Sequence, residues 1–436
     1  MSYVIINLVR VNWRFAKATL KKVWSENVKF MCKKVLRLGI VGLGKNRGYE
    51  LLKTFQLVEN AEIVAVCDCY AERVDAAVEY LREKADKVPF TCNDYRHLLA
   101  QDIDAVIIAS PWETHVEIAV QAMEKNIIVG MEVGGAYSID DIWLLVRTWE
   151  RTKTPFMFLE NCCYDRAELY ATRLVREGLL GEIVHASGAY AHDLRNEVFT
   201  GVENKHYRYR NYLHRNGETY PTHDLGPIAK ILGIQRGNRM VSLVSVASKA
   251  AGLKEYAKGL GKESPNFKQG DIVTTIITCA NGETILLKLD TTLPGFYDRA
   301  FTVRGTKGMY TQTLHATYLD SDEELPNETC WSNAETLLNN SAKYEERYLP
   351  TVWKNITQEE LKAGHGGMDL IMMREFVNCA LEGKEMPIDV YDAAAWMSIT
   401  CLSEQSVAMG GAPQIIPDFT GGKWLVRELK DVMDLS

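Results

Sequence analysis

Two glycines and one acidic residue near the start of the chain have the spacing of a dinucleotide-binding site. An apolar run over residues 36–41 leads into Gly42 and Gly44, and Asp68 follows 24 residues after Gly44, at the end of a second apolar run. A glycine turn between a strand and a helix lets a pyrophosphate approach the free N–H groups of the helix. An acidic residue at this distance binds the adenosine ribose and repels a 2′-phosphate. The pattern therefore predicts binding of NAD rather than NADP.

The glycine pattern departs from the common one at its third position. The usual third glycine would be residue 47, but Arg47 stands there and Gly48 follows, so we expect a loop one residue longer. Further candidate cofactor-binding residues lie just after the later strands, at the edge where the ligand crevice of a parallel sheet opens. The predicted cofactor-binding residues are Gly42, Gly44, Asn46, Arg47, Gly48, Asp68, Ser110, Trp112, His115 and Glu132. Trp112 has two interpretations, stacking on a cofactor ring or filling a seam between domains.

Two different patterns of apolar residues indicate two domains. Over residues 35–160, short apolar runs alternate with amphipathic stretches, which predicts an N-terminal Rossmann domain with a doubly wound parallel sheet. Residues 161–436 contain longer strand-like runs and a hairpin signal at Asn281-Gly282. They predict a C-terminal α+β domain with an open, mostly antiparallel sheet, for substrate binding and oligomerisation. Within it, residues 319–363 are polar and irregular, which predicts a long loop or lid.

The first 34 residues are basic, with eight lysines and arginines against one glutamate. Their apolar residues precede the basic ones, the reverse of a secretory signal. We expect an extension ahead of the fold, either disordered or the product of an upstream, non-native start, because Met31 stands just before the first strand. The alternative is a membrane-surface or targeting helix.

The composition excludes several classes of protein. A net charge of −7 over 436 residues gives no basic excess for nucleic acid. No uncharged apolar run of about 18 residues is present, so no membrane-spanning helix is expected. The ten cysteines lack C-x-x-C spacing, which predicts no metal site and reduced thiols in the cytoplasm. The periplasm is the alternative if the native N-terminus differs.

The sequence resembles the Gfo/Idh/MocA superfamily, whose ordinary members are sugar and polyol dehydrogenases. Many of them carry Glu-Lys-Pro after the fifth strand, and the lysine moves a proton beside the oxidised hydroxyl. This chain has Glu132-Val133-Gly134 instead. Because valine cannot transfer a proton, the usual acid/base group of a dehydrogenase is lost.

A closer resemblance covers residues 36–424. The sequence resembles glycoside hydrolase family 109, the NAD-dependent α-N-acetylgalactosaminidases. The stretches that carry it are SPWE at 110–113, LENCCY at 159–164, YAHDLR at 190–195, RNGETYPTH at 215–223, GHGGMD at 364–369 and DVYDA at 389–393. The longer glycine loop is a departure.

The resemblance implies a hydrolysis in which bound NAD⁺ first removes hydride from C3 of the sugar. The ketone acidifies C2–H, a base removes that proton, the C1 leaving group departs, water adds, and the hydride returns. By resemblance, Tyr164 is the C2 base, His223 an acid/base group, and the sugar contacts are Arg208, Tyr220 and Tyr297. A tyrosine titrates near ~10, so Tyr164 needs a cation or donor such as Arg208 or His223 close by.

One further substrate-binding candidate and two competing functions stay open. His365 lies among glycines in a loop that could present it to a ligand or could be a flexible linker. An NAD-dependent sugar or polyol dehydrogenase is the main alternative function, and a non-catalytic NAD-sensing or carbohydrate-binding module is another. In each case we expect a small sugar or glycoside as ligand, no nucleic acid or membrane partner, and a homo-oligomer, dimeric or higher.

Overall fold

A computed structural model describes residues 35–134, 136–325 and 333–436 of the chain. The basic extension over residues 1–34 lies outside the described residues. No helix in the described part of the chain is both long enough and apolar enough to cross a membrane.

The first domain is a six-stranded sheet in which every strand runs parallel, in the order β3-β2-β1-β4-β5-β6. The strands are β1 (Leu36–Val41), β2 (Ala61–Cys67), β3 (Phe90–Cys92), β4 (Ala105–Ile108), β5 (Ile128–Glu132) and β6 (Phe156–Leu159). The helices are α1 (Gly48–Phe55), α2 (Ala71–Ala85), α3 (Tyr95–Leu98), α4 (His115–Glu124) and α5 (Ile139–Thr152). Strands β4, β5 and β6 are buried throughout, as strands covered on both faces are. The predicted Rossmann domain is confirmed, and the loops that follow its strands share one edge of the sheet.

The second domain contains an eight-stranded sheet in the order β13-β12-β11-β7-β10-β9-β8-β14. Its strands are β7 (Ile183–Ala191), β8 (Met240–Ala247), β9 (Ile272–Cys279), β10 (Thr284–Asp290), β11 (Thr302–Gly305), β12 (Gly308–Thr311), β13 (Ala316–Leu319) and β14 (Gln414–Ile415). Only β7 and β10 pair in parallel; the other neighbours are antiparallel. Gly282 turns between β9 and β10 with a φ of +101°, where glycine has no steric penalty. The expected mostly antiparallel sheet is therefore confirmed.

The helices of the second domain join it to the first. They are α6 (Arg166–Arg176), α7 (Arg195–Phe199), α8 (Arg208–His214), α9 (Thr222–Ile231), α10 (Gly252–Gly259), α11 (Asn333–Leu337), α12 (Ala342–Tyr348), α13 (Thr351–Lys354), α14 (Met368–Glu382) and α15 (Val390–Ala408). Helix α15 packs on β8 of its own domain and on α5 and β6 of the first. Helix α14 packs on β1 and α1. Because both helices cross the boundary, the glycine loop after β1 faces residues of the second domain.

The prediction of an irregular segment over residues 319–363 is wrong for its later part. Helices α11, α12 and α13 occupy much of residues 333–354. Trp353 is buried there and donates its indole N–H to the carbonyl oxygen of Tyr164 at 3.0 Å. Each helix is too short to show a clear apolar periodicity, and anchors such as Trp353 connect residues that are distant in the sequence.

Candidate active site

The loop after β1 has the shape that a dinucleotide turn requires. A Cβ atom on Gly42, whose φ is +93°, would lie 2.4 Å from the backbone nitrogen of Ser110, and one on Gly48 would lie 1.9 Å from the carbonyl oxygen of Gly42. Gly48 therefore lets α1 pack closely on the turn, the role of the third glycine in the common pattern. Among the residues that the structure describes, a Cβ on Gly44 would have only Arg73 near it, 3.8 Å away. The backbone of Gly44 is thus open to a ligand at the N-terminus of α1.

Asp68 stands at the end of β2 beside this loop. Its carboxylate accepts hydrogen bonds from the backbone N–H of Leu43 at 2.7 Å and of Tyr70 at 2.9 Å. The guanidinium of Arg73 lies 3.6 Å away. The open Gly44 backbone suits a pyrophosphate, and Asp68 suits the adjoining ribose. The residues present therefore fit NAD.

A segment of the second domain reaches the adenosine side of this crevice. Arg73 donates to the carbonyl oxygens of Asn204 at 3.3 Å and Lys205 at 3.4 Å. Lys205 pairs with Glu72, and its ammonium lies 4.2 Å from the centre of the Tyr70 ring. We call this set of contacts the 204–205 clasp. It joins the two domains next to Asp68.

Arg47 joins the glycine loop to the second domain on the other side. Its guanidinium pairs with Glu132 and donates to Asp369 at 2.6 Å. Asp369 also accepts from Asn161 at 2.8 Å and lies 2.8 Å from the imidazole of His365. Although burial opposes its ionisation, Arg47 and His365 hold the pKa of Asp369 well below its ordinary value. Arg47 and Glu132, two of the predicted cofactor-binding residues, therefore belong to an ion-pair network with Asp369. His365, a predicted substrate-binding residue, belongs to the same network.

His115 supports the loop after β4 from within the protein. Its ring is buried, and Nε2 lies 2.7 Å from the carbonyl oxygen of Ser110. The Ser110 hydroxyl hydrogen-bonds with that of Thr114 at 2.7 Å. Burial lowers the pKa of His115 to about 4. His115 therefore stays neutral and supports this loop from within the protein, and its contact with the cofactor stays a prediction.

Trp112 fills the seam between the domains. Its ring centre lies 4.7 Å from that of Tyr207 and 5.4 Å from that of Tyr220, on which it stacks. A Cβ on Gly134 would lie 2.3 Å from the indole. The structure thus supports the second interpretation of Trp112 over stacking on a cofactor ring. A side chain on residue 134 would therefore collide with the indole, which explains the glycine at this position.

His223 and Glu160 form a buried pair below Tyr220. Nδ1 of His223 lies 2.8 Å from Oε1 of Glu160, and Nε2 lies 3.3 Å from the hydroxyl of Tyr220. Glu160 is fully buried. Burial opposes its ionisation, but His223 and the backbone N–H of Cys162 hold its pKa below the ordinary value. The carboxylate therefore fixes the orientation of the imidazole, as in other acid/base pairs.

Arg208 places a positive charge above these rings. Its guanidinium lies 5.2 Å from the centre of the Tyr220 ring and pairs with Glu197. Glu197 also accepts a hydrogen bond from the side chain of Asn46 at 3.1 Å. The glycine loop and the predicted sugar-contacting residues thus share one polar network.

Tyr297 borders the same cluster at its open side. Its ring lies 5.2 Å from that of His192, and its hydroxyl accepts from Arg299 at 3.2 Å. The residue is 46% exposed. Of the predicted catalytic and sugar-contacting residues, the structure brings Arg208, Tyr220, His223 and Tyr297 together.

Tyr164 is not brought to this cluster. It ends a 3₁₀ turn (Asn161–Tyr164), is fully buried, and its hydroxyl has no hydrogen-bond partner among the described residues. The charges that act on it belong to Glu375, Cys163 and Cys379, on the side of α14. Burial raises its pKa far above the ordinary value, with no cation beside it among these groups. Geometry and ionisation therefore both argue against Tyr164 as the C2 base.

Glu160 and Asp369 are among the residues of the site that were not predicted from the sequence. Glu160 lies in the LENCCY stretch, where an acid at the end of a parallel strand could have been considered. Asp369 lies four residues after His365, a helical spacing that could have connected the two.

Two family models match the chain. One described as the C-terminal domain of glycosyl hydrolase 109 matches residues 164–426, and one described as the NAD-binding Rossmann fold of an oxidoreductase family matches residues 36–157.

Known proteins match over most of their length. A glycosyl hydrolase family 109 protein of Stenotrophomonas maltophilia (strain K279a) is 38% identical over 423 residues, which cover 90% of this chain and 91% of that protein. An alpha-N-acetylgalactosaminidase of Tannerella forsythia is 36% identical over 424 residues, covering 90% of this chain and 88% of that protein. The fold resembles scyllo-inositol dehydrogenase of Lactobacillus casei with bound NAD(H) and scyllo-inositol, with a TM-score of 0.61, 15% identity, and coverage of 88% of this chain and 99% of that one.

Proposed function

This chain belongs to glycosyl hydrolase family 109, and from that premise we propose that it hydrolyses α-N-acetylgalactosaminides through transient oxidation of the sugar. It is an enzyme of a glycosidase family that carries an NAD-binding Rossmann domain. Relatives from Tannerella forsythia and Shewanella oneidensis carry the name alpha-N-acetylgalactosaminidase, which supports the substrate class.

The observation that carries the proposal is the His223–Glu160 pair beside Arg208 and Tyr220. An imidazole held at Nδ1 by a carboxylate can take and return a proton at Nε2. Val133 occupies the position of the dehydrogenase lysine and is buried. Proton transfer is thus available on the second-domain side of the crevice, and the dehydrogenase acid/base group is missing. This arrangement favours elimination chemistry over simple dehydrogenation.

The residues of this chain have separate roles in the proposed reaction. NAD bound in this loop would supply reversible hydride uptake at C3 of the sugar, with no net change of the cofactor over a cycle. Gly42, Gly44, Gly48 and Asp68 would hold it. His223 accepts a proton at Nε2 and returns one.

The sugar side of the crevice requires groups that orient hydroxyls. Arg208 supplies a buried positive charge that stabilises negative charge on a sugar oxygen. Tyr220 and Tyr297 offer hydroxyl groups on either side of the aromatic cluster. Since Tyr164 faces away, His223 replaces it in our proposal as the group that removes the C2 proton.

An isotope experiment tests the reaction. The purified protein is incubated with an aryl α-N-acetylgalactosaminide in D₂O, and aryl release, C2 deuteration and NADH absorbance are followed together. We expect aryl release with deuterium at C2 and no net NADH. Stoichiometric NADH accumulation on a free sugar would contradict the proposal and indicate the dehydrogenase alternative. Binding of sugar without either reaction would indicate a binding module.

We also propose that the chain forms a homo-oligomer through the outer face of its second sheet. Val246, Ile276 and Ile415 are each at least half exposed on the neighbouring strands β8, β9 and β14. Ile276→Lys should lower the mass measured by light scattering. An unchanged mass would contradict this interface.

A further inference from the structure

Three side chains with metal-binding atoms meet beside the proposed reaction site. Glu160, Cys162 and His223 each offer one ligand atom, and these three atoms lie within 4.8 Å of one another. All three residues are buried. Glu160 and Cys162 belong to the turn after β6, and His223 is the second residue of α9. A carboxylate oxygen, a thiolate sulfur and an imidazole nitrogen are donors that zinc prefers.

The carboxylate of Glu160 is enclosed by the protein. Oε1 faces His223 and accepts from the backbone N–H of Cys162 at 3.0 Å. Oε2 is inaccessible to solvent, and the hydroxyl of Thr222 is a further side-chain partner that favours the ionised form of this carboxylate.

The charges of the cluster also match a divalent ion. Glu160 contributes one negative charge, and Cys162 contributes a second once its thiol is deprotonated. With a neutral imidazole as the third ligand, the donor set neutralises the two charges of a zinc ion.

We propose that Glu160, Cys162 and His223 bind one Zn²⁺ ion, with a fourth position open, and that the ion inhibits the enzyme. Three bonds to the metal form, one from each ligand, and three water ligands leave the ion. The Cys162 S–H bond and the hydrogen bond between His223 and Glu160 are lost, and the thiol proton is released to solvent. No electron is transferred. A metal-bound imidazole nitrogen has no free lone pair and the ring loses basicity, so His223 no longer takes up a proton. The inhibition rests on the proposed function, whereas the binding does not.

Cobalt provides a direct probe of binding. The NAD-loaded protein is treated with a chelator, desalted and titrated with Co²⁺, whose thiolate complexes absorb in the near ultraviolet. We expect a thiolate-to-cobalt band that saturates at one ion per chain and is displaced by Zn²⁺. Cys162→Ser should abolish the band and weaken zinc binding at least about tenfold. Cys163→Ser is the matched control, because this neighbouring thiol is also buried and lies outside the group. Absence of a stoichiometric band, or equal effects of both variants, would overturn the site.

Two further measurements keep the proposal testable if Cys162→Ser fails to fold. Calorimetry of the native chain in two buffers of different ionisation enthalpy should show release of about one proton per zinc ion. Aryl release should fall with the same midpoint as zinc binding and recover on chelation. Stoichiometric binding without loss of activity would overturn the inhibitory role alone. Because the cobalt titration needs no substrate, failure of the glycosidase assay does not affect it.

Discussion

Nδ1 of His223 lies 2.8 Å from Oε1 of Glu160, and the two residues are separated by 63 positions in the chain. The strand end after β6 and the start of α9 must therefore both be in place before the imidazole has a fixed orientation. The pairing also determines which ring nitrogen faces Tyr220. Proton transfer in our proposal depends on this relationship.

Replacing Glu160 by glutamine should lower kcat by about 100-fold, because the amide holds the imidazole less well and cannot stabilise its protonated form. Bound NAD, measured by absorbance after denaturation, should be unchanged. Glu345→Gln is the control, since Glu345 pairs with Arg166 away from the cluster. A kcat equal to that of the native enzyme would remove Glu160 from the mechanism.

Tyr164→Phe should leave C2 deuteration intact. The hydroxyl is buried and has no hydrogen-bond partner in the described part of the chain, so its removal should also raise the free energy of unfolding, by about 1 kcal/mol. Urea unfolding and the D₂O assay measure the two effects. Loss of C2 exchange with a normally folded variant would instead restore Tyr164 as the base, as the resemblance alone implied.

Breaking the 204–205 clasp should speed the release of NAD. Lys205→Gln and Glu72→Gln each remove the same ion pair, which should raise the dissociation rate about two- to fivefold. Lys205→Gln also removes the contact between the ammonium and the Tyr70 ring, so it should have the larger effect, and the double variant should resemble it. Release is followed by trapping free NAD with a second enzyme. Lys87→Gln, which removes the exposed pair with Glu62, is the control and should not change the rate.

Gly134→Ala should destabilise the protein by about 1–3 kcal/mol, because the new methyl group would overlap the indole of Trp112. Thermal unfolding measures the effect. Combining it with Trp112→Phe should recover part of the loss. Gly259→Ala is the control, since a Cβ there meets no atom within 4 Å. Equal melting temperatures for both alanine variants would show that the Trp112 contact is not tight.

His115 should make the fold sensitive to acid. Burial lowers its pKa from 6.5 to about 4. The unfolded chain therefore binds a proton at a higher pH than the folded one, so the stability due to this residue is present above about pH 6.5 and is lost as the pH falls towards 4. The full difference is roughly 3 kcal/mol. In urea unfolding at pH 7 and pH 5, His115→Gln should lose less stability between the two pH values than the native chain. An equal loss would contradict the assignment.

The first domain was predictable because its signals are local. The strand, the glycine turn and Asp68 follow one another within one repeating unit. Parallel strands that are buried on both faces appear in the sequence as continuous apolar runs. The position of Gly48 against the Gly42 carbonyl also follows from the sequence once residue 47 is seen to be an arginine. Helices α11 to α13 were missed because each is short and anchored by distant contacts.

The site was predictable only as a set of residue types. A motif shows that Tyr164 and Glu160 stand close together, but a 3₁₀ turn sends neighbouring side chains in different directions, and the sequence does not reveal which one faces the crevice. Glu160 and Cys162 point towards His223, whereas Tyr164 points towards α14. Pairings such as Arg47 with Asp369 connect residues 322 positions apart, which no local pattern encodes.

The ion pair between Arg47 and Asp369 limits how the two domains can be exchanged between proteins. A second domain without a carboxylate at the position of Asp369 would leave Arg47 with one of its two acidic partners missing. The cofactor-binding domain therefore depends on a residue of the second domain, and an exchange of domains would have to keep both ends of this ion pair.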